Sequence, residues 1–219
     1  MAVIHHTTLK PTKLELLTGW LPSRPWFTGG HEPELVKAGG FRLDDPQGEV
    51  GMELMALVDT AGSEPVTYFV PLTYRGAPLE GADHALIGTM EHGVLGRRWV
   101  YDGCHDPALV AQLFALADGR VRAQDQNASD TPDRDVTSSY TGGPALTGAG
   151  ATTRDTREGT GLRTPQGVVL DVRRVLRPAS DGQAPLAPGA AGHIAGVWEL
   201  PDGARVRGSF AVLHISRDE

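Results

Sequence analysis

With 219 residues, of which 40% are hydrophobic and 21% charged, the chain is long enough to bury a substantial core and has the composition of an ordinary globular protein. Its net charge of −7 offers no general attraction to a nucleic-acid backbone or an anionic membrane, which argues against partners of either kind. The single cysteine, Cys104, excludes an internal disulfide; the sequence shows no signal peptide and no apolar run long enough to span a bilayer, so a cytoplasmic location is expected.

The first element expected is a helix opened by Pro11-Thr12-Lys13-Leu14-Glu15, in which the Thr hydroxyl accepts from a free backbone N–H and Glu15 reaches back to the cap. Leu14, Leu17 and Leu21 share one face, and Pro22 and Pro25 forbid continuation, leaving Trp20 and Trp26 on either side of a bend. Strands are predicted over residues 35–43, 50–58 and 66–73, separated by turn-rich Asp-Asp-Pro-Gln-Gly and Ala-Gly-Ser-Glu-Pro, and these form an antiparallel meander. The second strand carries Val50, Met52, Leu54, Ala56 and Val58 on one face and Met55 and Leu57 beside Glu53 on the other, the pattern of a central strand. A fourth strand over 97–101 leads into a helix with Asp106 as N-cap, Pro107 at its first position and Gly119 beyond its end.

Between residues 121 and 165 the chain is rich in Asp, Thr, Ser, Gly and Arg, and a flexible linker or long loop is expected there. Strands return over 168–176, 194–200 and 204–215, the last two joined by Pro201-Asp202-Gly203, with Trp198 placed to meet Val206 or Phe210. The expectation is therefore an α+β fold: a meander packed by two helices in residues 1–120, then a small antiparallel sheet in 166–219 that is either separate or continuous with the first.

The search for chemistry yields little. The eight histidines (His5, His6, His31, His84, His92, His105, His193 and His214) form no recognisable ligand motif, so neither a metal nor a cofactor is expected. Cys104-His105-Asp106 holds residue types of a thiol nucleophile set, but sequence neighbours rarely meet in the required geometry; the position near a helix N-terminus suggests a lowered thiol pKa without a catalytic role. Gly148-Ala149-Gly150 lacks the flanking strand and helix of a phosphate loop and reads as flexible. A ligand-binding surface, suited to a sugar or an acidic group, is the reading for Trp20, Arg24, Trp26, His92, Arg97 and Arg98, with Trp99 beside them; the competing reading is a tryptophan core flanked by solvated arginines.

One stretch carries a family resemblance. Trp20-Leu21-Pro22-Ser23-Arg24-Pro25-Trp26-Phe27, followed by Gly29, resembles the opening of the N-terminal cap of actinobacterial maltokinases and related sugar kinases, and Val100-Tyr101-Asp102 with Asp106-Pro107 resembles the end of the same cap. Residues 10–118 are covered. Arg24 stands one residue further from Trp26 than in the kinases, and Gly30 replaces a basic residue. The kinase's His-Gly-Asp loop and later metal-binding acid are missing from the sequence, and Val169-Leu170-Asp171-Val172-Arg173-Arg174, which resembles a nucleotide-lobe strand, has Asp171 where the ATP-binding Lys belongs. Stand-alone relatives are sometimes labelled 1,4-alpha-glucan branching proteins, a chemistry that needs a glycosidase barrel with paired carboxylates. The resemblance implies a non-catalytic cap-like protein, binding or regulatory, that acts with a sugar kinase or another enzyme of trehalose and glycogen metabolism. The alternatives are a sugar or sugar-phosphate binder, and a hydrolase built on His92 or Cys104.

Overall fold

The computed structural model describes residues 8–30, 32–143, 145–180 and 188–215. The described residues form helices α1 (Lys13–Trp20) and α2 (Pro107–Ala117) and a 12-stranded sheet: β1 (Leu9–Lys10), β2 (Leu35–Leu43), β3 (Gly51–Asp59), β4 (Val66–Arg75), β5 (Leu86–His92), β6 (Gly96–Asp102), β7 (Thr137–Tyr140), β8 (Thr152–Asp155), β9 (Thr160–Arg163), β10 (Val168–Val172), β11 (Gly192–Glu199) and β12 (Arg205–Ile215). Every pairing is antiparallel, in the order β1-β5-β6-β4-β3-β2-β11-β12-β10-β9-β8, with β7 added alongside β11.

The helix signals in the sequence are realised in the structure. Thr12 and Glu15 form a reciprocal capping box, and Asp106 accepts from the Ala108 N–H with Pro107 at the first position of α2. The meander β2-β3-β4 and the strand β6 lie where expected, whereas β5 was not foreseen: Leu86–His92 mixes Gly, Thr, Glu and His without a clean alternation. The central strand β3 divides by parity. Met52, Leu54, Ala56 and Val58 enter one apolar core, and Met55 and Leu57 enter a second, which Leu17, Trp20, Leu21 and Trp26 cover from outside.

The C-terminal strands continue the first sheet through the pairing of Trp198 with Gly39, and the chain after β10 closes it. Arg173 N–H donates to Phe210 O at 2.8 Å on one side, while Phe69 N–H donates to Arg174 O at 2.9 Å and Leu176 N–H to Thr67 O at 2.8 Å on the other. Residues 173–176 thus lie between β12 and β4, and β4-β3-β2-β11-β12-β10 becomes a closed ring of the barrel type, with no edge strand left inside it. Its interior is aromatic: the Phe69 and Phe210 rings stack at 4.5 Å, Phe41 lies 5.8 Å from Phe210, and Trp198 lies 6.0 Å from Phe210. Leu109, Leu113 and Phe114 of α2 join that cluster.

Residues 121–165 do not form a bare linker. They hold β7, β8 and β9 and bury Ala123, Leu146 and Leu162. Their order comes from backbone and polar pairing: Gln124 exchanges two 2.9 Å hydrogen bonds with Arg42, Asp118 accepts from the Leu146 N–H, and Thr153 donates to Cys104 O at 2.7 Å. Apolar content, the signal on which the linker expectation rested, does not register such bonds. Gly148 likewise serves close packing, since a Cβ there would come within 3.0 Å of Val110 O in α2.

Candidate functional site

Two features stand out, an open groove at the end of α1 and a buried polar relay beneath the start of α2. Helix α1 passes at Leu21–Ser23 into a single 3-10 turn, which Pro22 permits because the first turn needs no donor from it. Ser23 Oγ donates to Trp20 O at 2.6 Å, and the Arg24 guanidinium stacks over the Trp20 ring at 4.9 Å. Trp26 then plunges into the second core, edge-on to Trp20 at 5.7 Å, and Phe27 stacks on Tyr68 at 5.6 Å. The groove left beside this bend has a volume of about 590 Å³ and is lined by Thr18, Gly19, Pro22, Phe27, Gly29, Gly30 and Glu32.

The relay begins where β4 changes neighbours from β6 to residues 174–176. Phe69 N–H points to that edge, so residue 71, two further on, faces the same way; being Pro71, it has no N–H to strand there. Into this junction comes Arg174, wholly buried, whose Nη2 donates to both oxygens of the wholly buried Asp102 at 2.7 and 2.6 Å. Its Nε donates to Thr160 Oγ1 at 2.7 Å, and its guanidinium lies 4.9 Å over the Trp26 ring. Thr160 Oγ1 in turn donates to Asp155 Oδ1 at 2.5 Å, Asp155 Oδ2 lies 3.4 Å from His105 Nε2, and His105 Nδ1 lies 3.2 Å from His84 Nε2, which is at the surface. Burial alone would raise the Asp155 pKa, but the hydrogen bonds from His105 and Thr160 and the Arg174 charge outweigh it and hold the carboxyl at about 2.

Cys104 sits in the 3-10 turn Gly103–His105, not on α2. It is fully buried, and burial pushes its thiol well above the usual range, so the lowered pKa expected from the helix start does not arise. Asp106 is engaged by Arg75 through two 2.7 Å bonds as well as by the helix cap.

The six residues read as a ligand surface separate into three settings. Trp20 and Arg24 stack against each other at the α1 bend, while Trp26 is buried at 0% exposure and presents no face to a sugar. His92 Nδ1 accepts from the Val94 and Leu95 N–H groups in the β5–β6 turn, Arg97 pairs with Glu91, and Arg98 donates to Leu95 O at 2.6 Å. Of the other histidines, His193 meets Ser139 at 2.9 Å and His214 faces Asp171 at 3.6 Å, whereas His5, His6 and His31 lie outside the described residues. The polar relay was not anticipated; no spacing in the sequence links residues 84, 102, 105, 155, 160 and 174, and only the chain order of the sheet brings them together.

The bend that starts at Trp20, the meander behind it, and β6 with the turn that follows it to Asp106 all fall within one known module. Residues 20–106 match the maltokinase N-terminal cap domain. No curated protein matches the chain. The cap match thus contains the α1 bend, the groove-lining residues from Trp20 onward, β2 to β6, and Asp102, whereas Arg174, Thr160 and Asp155 come from outside it. Among the described residues no helix is long and apolar enough to cross a membrane.

Proposed function

We propose that this chain is a non-catalytic, cap-like binding or regulatory protein of the cytoplasm that acts with a sugar kinase or another enzyme of trehalose and glycogen metabolism, as expected of an actinobacterial relative of the maltokinase cap. The observation that carries this reading is the cap match over residues 20–106 combined with the engagement of the reactive groups around it. Cys104 is buried with its thiol pushed up, and Asp102 and Asp106 are each held by an arginine. Groups so engaged stabilise a scaffold rather than attack a substrate. The groove at the α1 bend is the natural contact face, because Gly19 and Gly30 leave it open and Phe27 gives it an aromatic wall.

The test is affinity capture from a native extract with the wild-type chain and with Gly19→Arg/Gly30→Arg. Neither glycine has any atom within 4 Å of an added Cβ, so the variant fills the groove without disturbing the fold. Recovery of a sugar kinase or glycogen-pathway enzyme by the wild type, and its loss with the variant, supports the reading; recovery of no such enzyme counts against it.

A second reading, a sugar or sugar-phosphate binder, is favoured by the groove volume of about 590 Å³, which falls in the range of small-molecule sites. A panel of sugars and sugar phosphates in a thermal-shift screen separates the two, since a ligand that binds the folded state must raise its apparent stability.

A further inference from the structure

We propose that His84 and His105 form a binding site for a divalent transition-metal ion of the zinc class, with Asp155 as the carboxylate that orients His105. His84 lies in the 3-10 turn Asp83–Ala85 before β5, His105 in the turn before α2, and Asp155 at the end of β8, so three separate segments converge on one point.

The geometry selects the two imidazoles as ligands. His84 Nε2 and His105 Nδ1 face each other at 3.2 Å with their rings at 84°. Two nitrogens each about 2.0–2.1 Å from a tetrahedral zinc ion stand roughly 3.3–3.4 Å apart, so a small adjustment admits the ion between them. Asp155 lies behind His105, on Nε2, at 3.4 Å. A carboxylate there holds the proton on Nε2 and leaves Nδ1 as a lone pair turned outward, the arrangement by which metal-ligating histidines are commonly fixed.

The inner carboxylates are unsuited to the ion itself. Asp102, His105 and Asp155 offer ligand atoms within 4.8 Å of one another, but both Asp102 oxygens already accept from Arg174, whose positive charge repels a cation at that depth. The ion is therefore placed on the outer side of His105, where His84 is exposed and water completes the coordination. Without metal, the same two nitrogens share one proton in a hydrogen bond, and binding replaces that bond by two coordinate bonds with a shift of the His84 proton to Nδ1. Bound metal ties the turn before β5 to the turn before α2.

The experiment is isothermal titration of the tag-free full chain with Zn²⁺ at pH 7.5, beside His84→Ala and Asp155→Asn, with urea midpoints measured with and without the metal. The expected result is one tight site in the wild type, loss of that site in His84→Ala, an affinity lower by about 10–100-fold in Asp155→Asn, and a zinc-dependent rise in midpoint in the wild type that is absent in His84→Ala. His84 is exposed, so its replacement leaves the fold intact, which circular dichroism checks. Absence of binding to the wild type, or equal binding by His84→Ala through His5, His6 or another group, overturns the site. Wild-type affinity in Asp155→Asn overturns the role given to Asp155.

Discussion

Replacing Arg174 by Met should be among the most damaging single changes in this protein. The side chain is wholly buried and makes two hydrogen bonds of 2.7 and 2.6 Å to an equally buried Asp102, a third to Thr160, and a stacking contact with Trp26. Met fills much of the volume but leaves the Asp102 charge without its partner, and removing one member of a buried pair costs about 3–5 kcal/mol. Against a total stability of about 5–15 kcal/mol, that is a large share. With a urea slope of about 2 kcal/mol/M, the unfolding midpoint falls by roughly 1.5–2.5 M. The double variant Arg174→Met/Asp102→Leu removes both charges; it should recover most of the loss and stay short of wild type by about 1 kcal/mol, because Asp102 also accepts from the Cys104 N–H. A midpoint for Arg174→Met within about 0.5 M of wild type, equivalent to about 1 kcal/mol, or a double variant no better than the single, would refute the reasoning that this pair is a mutually dependent buried unit.

Other positions make independent predictions. Gly40→Ala should destabilise by about 2–4 kcal/mol in the same urea assay, since residue 40 has a φ of 128° and an added Cβ would meet Leu54 O at 2.1 Å, a backbone atom that cannot move aside. Asp155, held at about 2 in the folded chain against an ordinary value of 3.8, contributes stability that is complete above about pH 4 and is lost as pH falls from 4 towards 2. Acid unfolding followed by fluorescence should therefore lose about 1–2 kcal/mol of pH dependence across that window in Asp155→Asn. Cys104 should not react with a thiol reagent in the native protein and should titrate as one thiol in 8 M urea, where about all chains are unfolded; fast native labelling would contradict its burial.

What was legible in the sequence is the part governed by local chemistry and periodicity. The capping box at Thr12 and Glu15, the Asp106-Pro107 start of α2, and the two-faced pattern of β3 each depend on residues a few positions apart, and each stands in the structure as read. The bend that carries Trp20-Leu21-Pro22 was legible from Pro22 and Pro25, which forbid continuation of the helix, and its residues also resemble the opening of the maltokinase cap. The closure of the ring was not legible, because it rests on backbone bonds between residues 173–176 and two strands distant in sequence. Arg174 illustrates the difficulty: in the sequence it is the second half of an Arg-Arg pair, an ordinary surface feature, and only the position of Asp102 across the β4 junction makes it a core residue. The same holds for His84 and His105, which are 21 residues apart and share no motif, yet face each other across two turns.

The most direct test of the proposed role is a titration of the full-length chain against a purified sugar kinase of the maltokinase family by biolayer interferometry, with phosphoryl transfer followed in parallel. The account predicts saturable binding that Gly19→Arg/Gly30→Arg weakens by about tenfold or more, and no sugar phosphorylation by this chain on its own. Wild-type binding that is absent or indifferent to the groove variant, or phosphorylation by the isolated chain, would contradict it.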